Sequence, residues 1–524
     1  MKTFFSRVFS RRVLFIIEAL LSALLIGALA FFQLLPLKYF IAATVLVVLV
    51  LLLLYRGQQM KTVTDRYGMA SKANTKLSVV LKFVQVLVCA ALVFANYTVF
   101  RSAGFIDSIS GKTTNKVEYS VIVLKSDTAT KIADLKNYAF GYMSSTDSTE
   151  TAHMNQVVAK IGNDLDETVT PTTYSSAKTT VNALYNGTIK AMIINELDRS
   201  TYKSVKSKFS SETRVIKHYY VKIASASANK AEVTKEPFVV FISGIDTYGS
   251  ISKASLSDVN MIATINPVTK QILLTSVPRD YYIPIAGTSG KDKLTHSAKK
   301  GISCTMETIE NLLNTYNTGS TIKFNYYVKM NYTSFMKVVD ALGGVTINNP
   351  YGEFTTRIGF FKIKKGKNTL TAKQALAFVR ERHSFADGDR VRVQNQQLMI
   401  KAIMKKMTSA SSITKLNSIF NAVSASVETN MSSSEIRSLI NMEIDDMATW
   451  DIQSYHLDGT NARVKQFSLI TNTNPNGLYV MQPNTTTIKT AVNYIQQVLQ
   501  NKTVKIKSSK TKITADPNAN DKYK

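Results

Sequence analysis

The apolar residues of this chain keep three different rhythms. Continuous apolar runs come first, at 13–35, 37–55 and 77–100. Each is about 20 residues, the length an α-helix needs to cross about 30 Å of hydrocarbon. The first run has no small-residue cleavage site and leads straight into the second, so a removable leader is not expected. From 117 to 223 short strands alternate with helical stretches: "YSVIVLK", "TATKIADLKNY", "TAHMNQVVAKIG", "TVNALYNGTIKAMIINE". That alternation predicts a small α/β accessory domain. A polar linker, 224–236, leads to a third pattern that opens on the apolar strand "PFVVFISGID", which stops at Asp246.

The runs 259–265 and 271–277 then read as a hairpin around 267–270. If Asn266 pairs with Gln271, the same register carried outward puts Asp258 opposite Arg279, at the open end. Downstream, Thr369 or Thr371 caps a helix ending near Arg380, and a second helix begins around Asp389. On it Arg392, Gln396, Met399 and Ile403 fall on one helical stripe. Two amphipathic segments, 305–316 and 332–344, are expected chiefly to pack in the core, with some side chains walling an apolar groove. Beyond Gln500 the chain is lysine-rich and poor in large apolar residues, which predicts a disordered tail. The expected organisation is a membrane anchor over 1–100, an accessory α/β domain with linker over 101–235, a catalytic α/β domain over 236–500 with a mixed sheet and flanking helices, and a basic tail over 501–524.

Charge adds a direction to this picture. The 524 residues carry 64 Lys and Arg against 36 Asp and Glu, a formal +28. Such an excess points to a polyanionic neighbourhood: nucleic acid, anionic lipid or a phosphate-rich wall polymer. Lys2, Arg7, Arg11 and Arg12 precede the first run, and Arg56, Lys61, Arg66, Lys72 and Lys76 follow the second. Only Lys38 marks the turn between them. The positive-inside rule then puts the N-terminus in the cytoplasm and everything after about residue 100 outside. The little chain left in the cytoplasm is too short for a DNA-binding domain with its own core, so no nucleic-acid partner is expected. The two cysteines, Cys89 and Cys304, are not expected to form a disulfide.

Asp246, Asp258 and Arg279 thus arrive at strand ends from separate β segments. A structural ion pair between Asp258 and Arg279 is the plain alternative to a magnesium site, which takes one or two carboxylates and fills its other positions with phosphate oxygens and water. On the second helix, Arg392 and Gln396 share the apolar face, a break in binary patterning of the kind that gathers at functional sites. A helix N-terminus with a guanidinium beside it suits phosphate. A solvated basic face is the alternative there. "GTSGK" (287–291) lacks the residues of a phosphate loop, the five histidines show no paired ligand spacing, and His296 reads as a structural hydrogen-bonder.

The stretches "VVFISGIDTYG", "SDVNMIATINP", "ILLTSVPRDYYIPI", "DKLTHS", "VVDALGGVTINNP" and "ALAFVRERHSFADGDRVRVQNQQ" resemble, in order, the LytR-CpsA-Psr family of bacterial cell-wall proteins. The likeness covers most of 237–407 and extends to streptococcal capsule-type members with three spans and an accessory domain. It implies a transferase that moves a glycopolymer (capsule polysaccharide, teichoic acid or similar) from a polyprenyl-pyrophosphate carrier to peptidoglycan, with magnesium. On that resemblance Asp246 and Asp258 would hold the metal. Arg279, Arg380, Arg382, Arg392 and Gln396 would hold the pyrophosphate, and Asp389 would orient arginines or cap the helix. Arg279, Asp258 and Asp389 are then the catalytic set, with Asp258 or Asp389 a candidate general base. Leu256 stands where many members have arginine; Lys253 is a possible substitute. The expected partners are the lipid-linked polymer, peptidoglycan and membrane lipid. A lipid pyrophosphatase, a regulator of capsule or wall genes, and a non-catalytic binder are the alternatives.

Overall fold

A computed structural model describes residues 10–521 except 59–60, 65–69, 74–75, 110–114, 146, 224–227, 250, 252–254, 408–426, 471–473, 475 and 508–512. The chain divides into two compact units. One comprises 1–108, 408–424 and 432–448, the other 109–407, 425–431 and 449–524. Lys253 lies outside the described residues.

The first unit is built on helices α1 (Arg11–Phe32), α2 (Leu37–Gly57) and α3 (Lys76–Ile109), all long and apolar enough to cross a membrane. Ser10 caps α1, and Pro36 sits at the N-cap of α2, where its missing N–H costs nothing. Where the helices meet, Gln85 Nε2 donates to Glu18 Oε2 at 2.6 Å and Gln58 Nε2 to Gln85 Oε1 at 2.7 Å. Lipid offers polar groups no partner, so this pairing has to be internal. The same unit takes in a helix from the expected catalytic region, Ser433–Asp446. Lys38 Nζ lies 2.6 Å from Asp445 Oδ1, and Asn441 Nδ2 donates to Gln33 O at 2.8 Å. The expected continuous 236–500 domain is therefore interrupted, by contacts too distant in sequence for local pattern to reveal.

In the second unit, strands β1 (Asn115–Leu124), β2 (Phe140–Met143), β3 (Thr172–Tyr174), β4 (Ala191–Asn195) and β5 (Thr213–Ile223) form a sheet in the order β3–β2–β4–β1–β5. Strand alternation feeds two cores. Val117, Tyr119 and Val121 pack with Met154, Val157 and Ile161 of helix α4 (Ser148–Leu165), while Ile122 packs with Val181 and Leu184 of α5 (Ala177–Tyr185).

The larger sheet is mixed. Its strands are β6 (Phe238–Ile245), β7 (Ser257–Asn266), β8 (Gln271–Val277), β9 (Tyr326–Asn331), β10 (Val427–Thr429) and β11 (Asp451–His456), ordered β10–β9–β6–β7–β8–β11. Asn266 pairs with Gln271, the register expected from the hairpin pattern. Helices α6 (Ile302–Asn314), α7 (Tyr332–Ala341), α8 (Ala372–Arg380), α9 (Gly388–Met407) and α10 (Thr485–Leu499) flank the sheet. Val239 and Phe241 pack into a dense core with Ile309 and Leu313 of α6 and Ile488 and Ile495 of α10. Ile242 and Gly244 point to the other face, where α7, α8 and α9 leave a cavity. Of the two expected groove helices, α6 belongs to the core and α7 lends Tyr332 and Phe335 to the cavity. Amphipathicity says that a helix buries one face; it does not say which side of the sheet receives it.

The expected disordered tail is a correction. Val504 exchanges hydrogen bonds with the Gln271 side chain at 2.7 and 2.9 Å. Asn520 is buried and donates to Thr355 O at 2.9 Å. Among so many lysines these few residues decide where the tail lies.

Candidate functional site

Because β7 runs antiparallel between β6 and β8, one end of the sheet gathers the end of β6, the start of β7 and the end of β8. Asp246, Asp258 and Arg279 follow from that topology, at the strand ends where α/β sheets commonly bind ligands. Gly244 keeps the strands close: a Cβ there would come 2.9 Å from Val259 Cβ. Asn331 holds the start of α7 by accepting from Ser334 N at 2.9 Å, which places Tyr332 at the cavity. The capping box of Thr371 and Gln374 starts α8, and its last residue, Arg380, stacks on the Tyr332 ring at 4.4 Å. The chain then turns sharply into α9. A Cβ at Gly388 would lie 2.2 Å from Arg382 O, so the turn that presents Arg382 and the first turn of α9 requires glycine there.

These elements enclose a cavity of about 350 Å³. Asp246, Asp258, Arg279, Arg380, Arg382, Arg392 and Gln396 all line it. Asp389 does not; it lines a smaller pocket behind Arg279 and Arg392, next to Asp280. Leu256 is also absent from the cavity wall, and His296 is instead bound to Asp292 at 2.6 Å. The deeper wall is apolar, with Ile242, Phe335, Leu376, Val379, Met399 and Ile400.

The electrostatics are uneven. Arg279 Nη1 donates to Asp258 Oδ1 at 2.7 Å, and its Nε lies 3.3 Å from Asp280 Oδ2. Burial works against its charge, but Asp258 and Asp280 outweigh burial and raise the guanidinium above its ordinary pKa. Asp280 is buried, which opposes its charge; Arg279 and Lys293 (3.0 Å) prevail and hold its carboxyl below the usual range. Asp280 escaped the sequence analysis, although it directly follows Arg279 in "VPRD". Arg392 differs. Its Nη2 lies 3.2 Å from Asp389 Oδ1 without hydrogen-bond alignment, and its Nε has no hydrogen-bond partner among the described residues. Burial, and then the charge of Arg279, press its pKa below the ordinary value. Arg382 sits at the rim, 46% exposed and 3.8 Å from Asp389.

Asp246 is raised above the usual carboxylate range, first by burial and then by the neighbouring charge of Asp258. Two hard oxygen donors that repel each other at a cavity wall fit a magnesium or similar divalent ion, which needs no more protein ligands than these when phosphate and water complete its shell. Among the described residues no cluster of three or more His, Cys, Asp or Glu suited to a metal is present.

The LytR_cpsA_psr family model matches residues 200–497. The chain is 34% identical over 269 residues to the polyisoprenyl-teichoic acid–peptidoglycan teichoic acid transferase TagU of Bacillus subtilis, covering 51% of this chain and 79% of that protein. It is 35% identical over 208 residues to the TagU of Enterococcus faecalis, covering 39% and 65% respectively. The crystal structure of B. subtilis TagU superposes with a TM-score of 0.39 at 30% identity, over 52% of this chain and all of that one. With its family model spanning more than half its length and the arginines and aspartates of its motifs drawn to one end of the sheet, the chain belongs to the LytR-CpsA-Psr family.

Proposed function

We propose that this protein is a membrane-anchored transferase that joins a cell-wall glycopolymer to peptidoglycan, taking the polymer from a polyprenyl-pyrophosphate carrier outside the cell. The observation that carries the reading is the buried Arg279–Arg392 pair, in which Arg392 keeps an unsatisfied donor and a depressed pKa. Two cations are held together in a partly desolvated cavity, and the second lacks a well-aligned anion. A pyrophosphate supplies the missing charge, and arginine forks match phosphate oxygens well. The named relatives act on polyisoprenyl-linked teichoic acid, which fits a charged headgroup at the arginines and an isoprenoid tail along Phe335, Leu376, Val379 and Ile400. The polymer here is teichoic acid, capsule polysaccharide or a similar chain.

In this reading an acceptor hydroxyl of peptidoglycan attacks the sugar-side phosphorus. A new O–P bond forms, the phosphoanhydride P–O bond breaks, and polyprenyl phosphate leaves with the bond's electron pair. Arg279 and Arg392 take up charge that grows on the phosphoryl oxygens, while Arg380, Arg382 and Gln396 hold the remaining oxygens. Asp258 keeps Arg279 aimed through Oδ1 and is the cavity carboxylate to which the hydroxyl proton passes, while Asp389, outside the cavity, faces Arg392 from behind. Asp246 and Asp258 would hold magnesium, which when bound neutralises phosphate charge. The three spans keep the enzyme where its lipid-linked substrate lies, raising their effective concentration.

The test is to incubate the full-length protein with a polyprenyl-pyrophosphate oligosaccharide and peptidoglycan fragments, with and without magnesium. Oligosaccharide covalently joined to the fragments, with polyprenyl phosphate released, is the expected result. Free phosphorylated oligosaccharide in place of the joined product means a pyrophosphatase. Neither product refutes the assignment.

A further inference from the structure

A second cavity lies away from the arginines, between the five-stranded accessory sheet and the six-stranded sheet. It has a volume of about 320 Å³ and is walled by the first turn of α4, the end of β4, the lysine pair Lys299–Lys300 and the segment 465–470. It shares Asp147, Gln466, Phe467 and Ser468 with an open groove of about 470 Å³ along the 287–291 turn, so the two form one cleft. We propose that this cleft binds an uncharged saccharide, with His153 facing one sugar ring inside and Phe467 and Tyr282 forming the floor outside.

The charge accounting selects that ligand class. Lys299 reaches Asp198 at 2.5 Å, and Lys300 reaches Asp147 at 2.6 Å. Each buried cation already has its own carboxylate. Glu150 accepts from Tyr119 at 3.0 Å and from Asn195 at 3.1 Å, and burial lifts its carboxyl above the usual range. Lys465 at the rim and Lys291 on the outer turn are exposed to solvent. The interior therefore offers neither a spare charge for phosphate nor a spare carboxylate for a cation. What remains is neutral hydrogen-bonding capacity. His153 is 8% exposed, lines the cavity and makes no hydrogen bond to any described residue. Burial holds its pKa below the ordinary value, so the ring offers one donor and one acceptor near neutral pH. Ser144, Ser145 and Thr149 line the cavity with hydroxyls that each use one bond within the protein, to Tyr174 O, from Asp147 N and from Lys300 Nζ, and keep further capacity; Met143, Met154 and Tyr202 add apolar surface. Outside, Tyr282 and Phe467 meet edge to face at 5.8 Å, with Tyr282 Oη donating to Gln466 O at 2.8 Å. Hydroxyls and apolar C–H faces on one ring are what this mixture accommodates.

The cleft also adjoins the arginine site through backbone. Leu294 N donates to Tyr281 O and Thr295 N to Arg279 O, both at 2.9 Å, a few residues before the lysine pair. The binding claim itself stands on the cleft's own residues and not on the proposed function.

The experiment is calorimetric titration of the full-length protein in nanodiscs with two phosphate-free probes. One is a β-1,4-linked N-acetylglucosamine tetrasaccharide, standing for the wall glycan. The other is the oligosaccharide released from the producing cell's own surface polymer, standing for the donor. Saturable binding of either is expected, weakened at least about tenfold by His153→Phe, which fills the cavity, and by Phe467→Ala, which strips the outer floor. The tetrasaccharide alone assigns the cleft to the acceptor, the released oligosaccharide alone to the donor, and both to neutral glycans generally. Asp246→Asn should bind the saccharide as the wild type does, so a failure of transfer leaves this inference intact. No binding of either probe at millimolar concentration overturns it, as does equal binding by the wild type and both variants.

Discussion

Two pairs of buried cations in one compact unit invite comparison. At the boundary between the sheets, Lys299 and Lys300 have side chains 9% and 14% exposed; in the main cavity, Arg392 and Arg279 are 13% and 26% exposed. All four are more buried than exposed, and their partners differ. Each lysine meets one carboxylate of the accessory domain, Asp198 in the turn after β4 and Asp147 at the N-cap of α4. Arg279 takes Asp258 and Asp280 together, while Arg392 has only the misaligned Asp389 and an idle Nε. A matched pair closes a junction, whereas an unmatched guanidinium leaves work for a ligand. Desolvated charge is expensive without a partner, so the difference predicts opposite responses to the same kind of mutation.

The largest effect should be on stability, at the matched pair. Asp198→Ala strands Lys299 in the interior and should cost about 3–5 kcal/mol, the usual penalty for breaking a buried pair from one side. Denaturant unfolding of the variant measures it; a loss under about 1 kcal/mol would break the contrast. Next comes activity at the unmatched pair. Arg392→Ala should lower polymer transfer by about 10²–10³-fold, the scale for losing one preorganised donor to a developing oxyanion. The same variant should keep or gain thermal stability, because it removes a cation pressed against Arg279.

Asp246→Asn sharpens the point from the anionic side. Its carboxyl is raised by burial and by Asp258, so ionising it costs folded-state stability, a cost that grows as pH rises through its folded pKa. The asparagine variant should therefore melt higher than the wild type at neutral pH without magnesium, and should lose the stabilisation that added magnesium gives the wild type. Differential scanning calorimetry with and without the ion checks both. Asp280 has the reverse sign. Its lowered pKa contributes stability above about pH 4, and that contribution disappears as pH falls through the folded value. Acid unfolding of the wild type should steepen there, and Asp280→Asn, already less stable at neutral pH, should show a shallower acid limb. The smallest effect belongs to the rim. Arg382, nearly half exposed, should change transfer only a few-fold when replaced by alanine, and less at high salt.

Much of this was legible because the signals were local. Three long apolar runs, two short apolar runs meeting at 266 and 271 around a polar turn, and a threonine-capped helix ending at Arg380 are each read from neighbouring residues. The hairpin register alone brought Asp258 to Arg279. The arginine stripe on α9 stood out by violating its apolar face. What the pattern could not supply was distance. Asp280 lies just beyond the end of β8, where alternation no longer tells which way a side chain turns. Lys299 and Lys300 carry no local signal at all, because their carboxylates lie 101 and 153 residues earlier in the chain. The return of Ser433–Asp446 to the anchor unit, and the docking of Val504 and Asn520, rest on a few long-range contacts with no repeating signature.

The central claim is that the Arg279–Arg392 pair is a pyrophosphate site. It is tested most directly by ³¹P NMR titration of the full-length protein with a short-chain isoprenyl pyrophosphate in magnesium, comparing the wild type with Arg392→Ala. The account predicts saturable binding by the wild type and at least about a hundredfold weaker binding by a variant that is still folded. Equal affinity for the two proteins would contradict it.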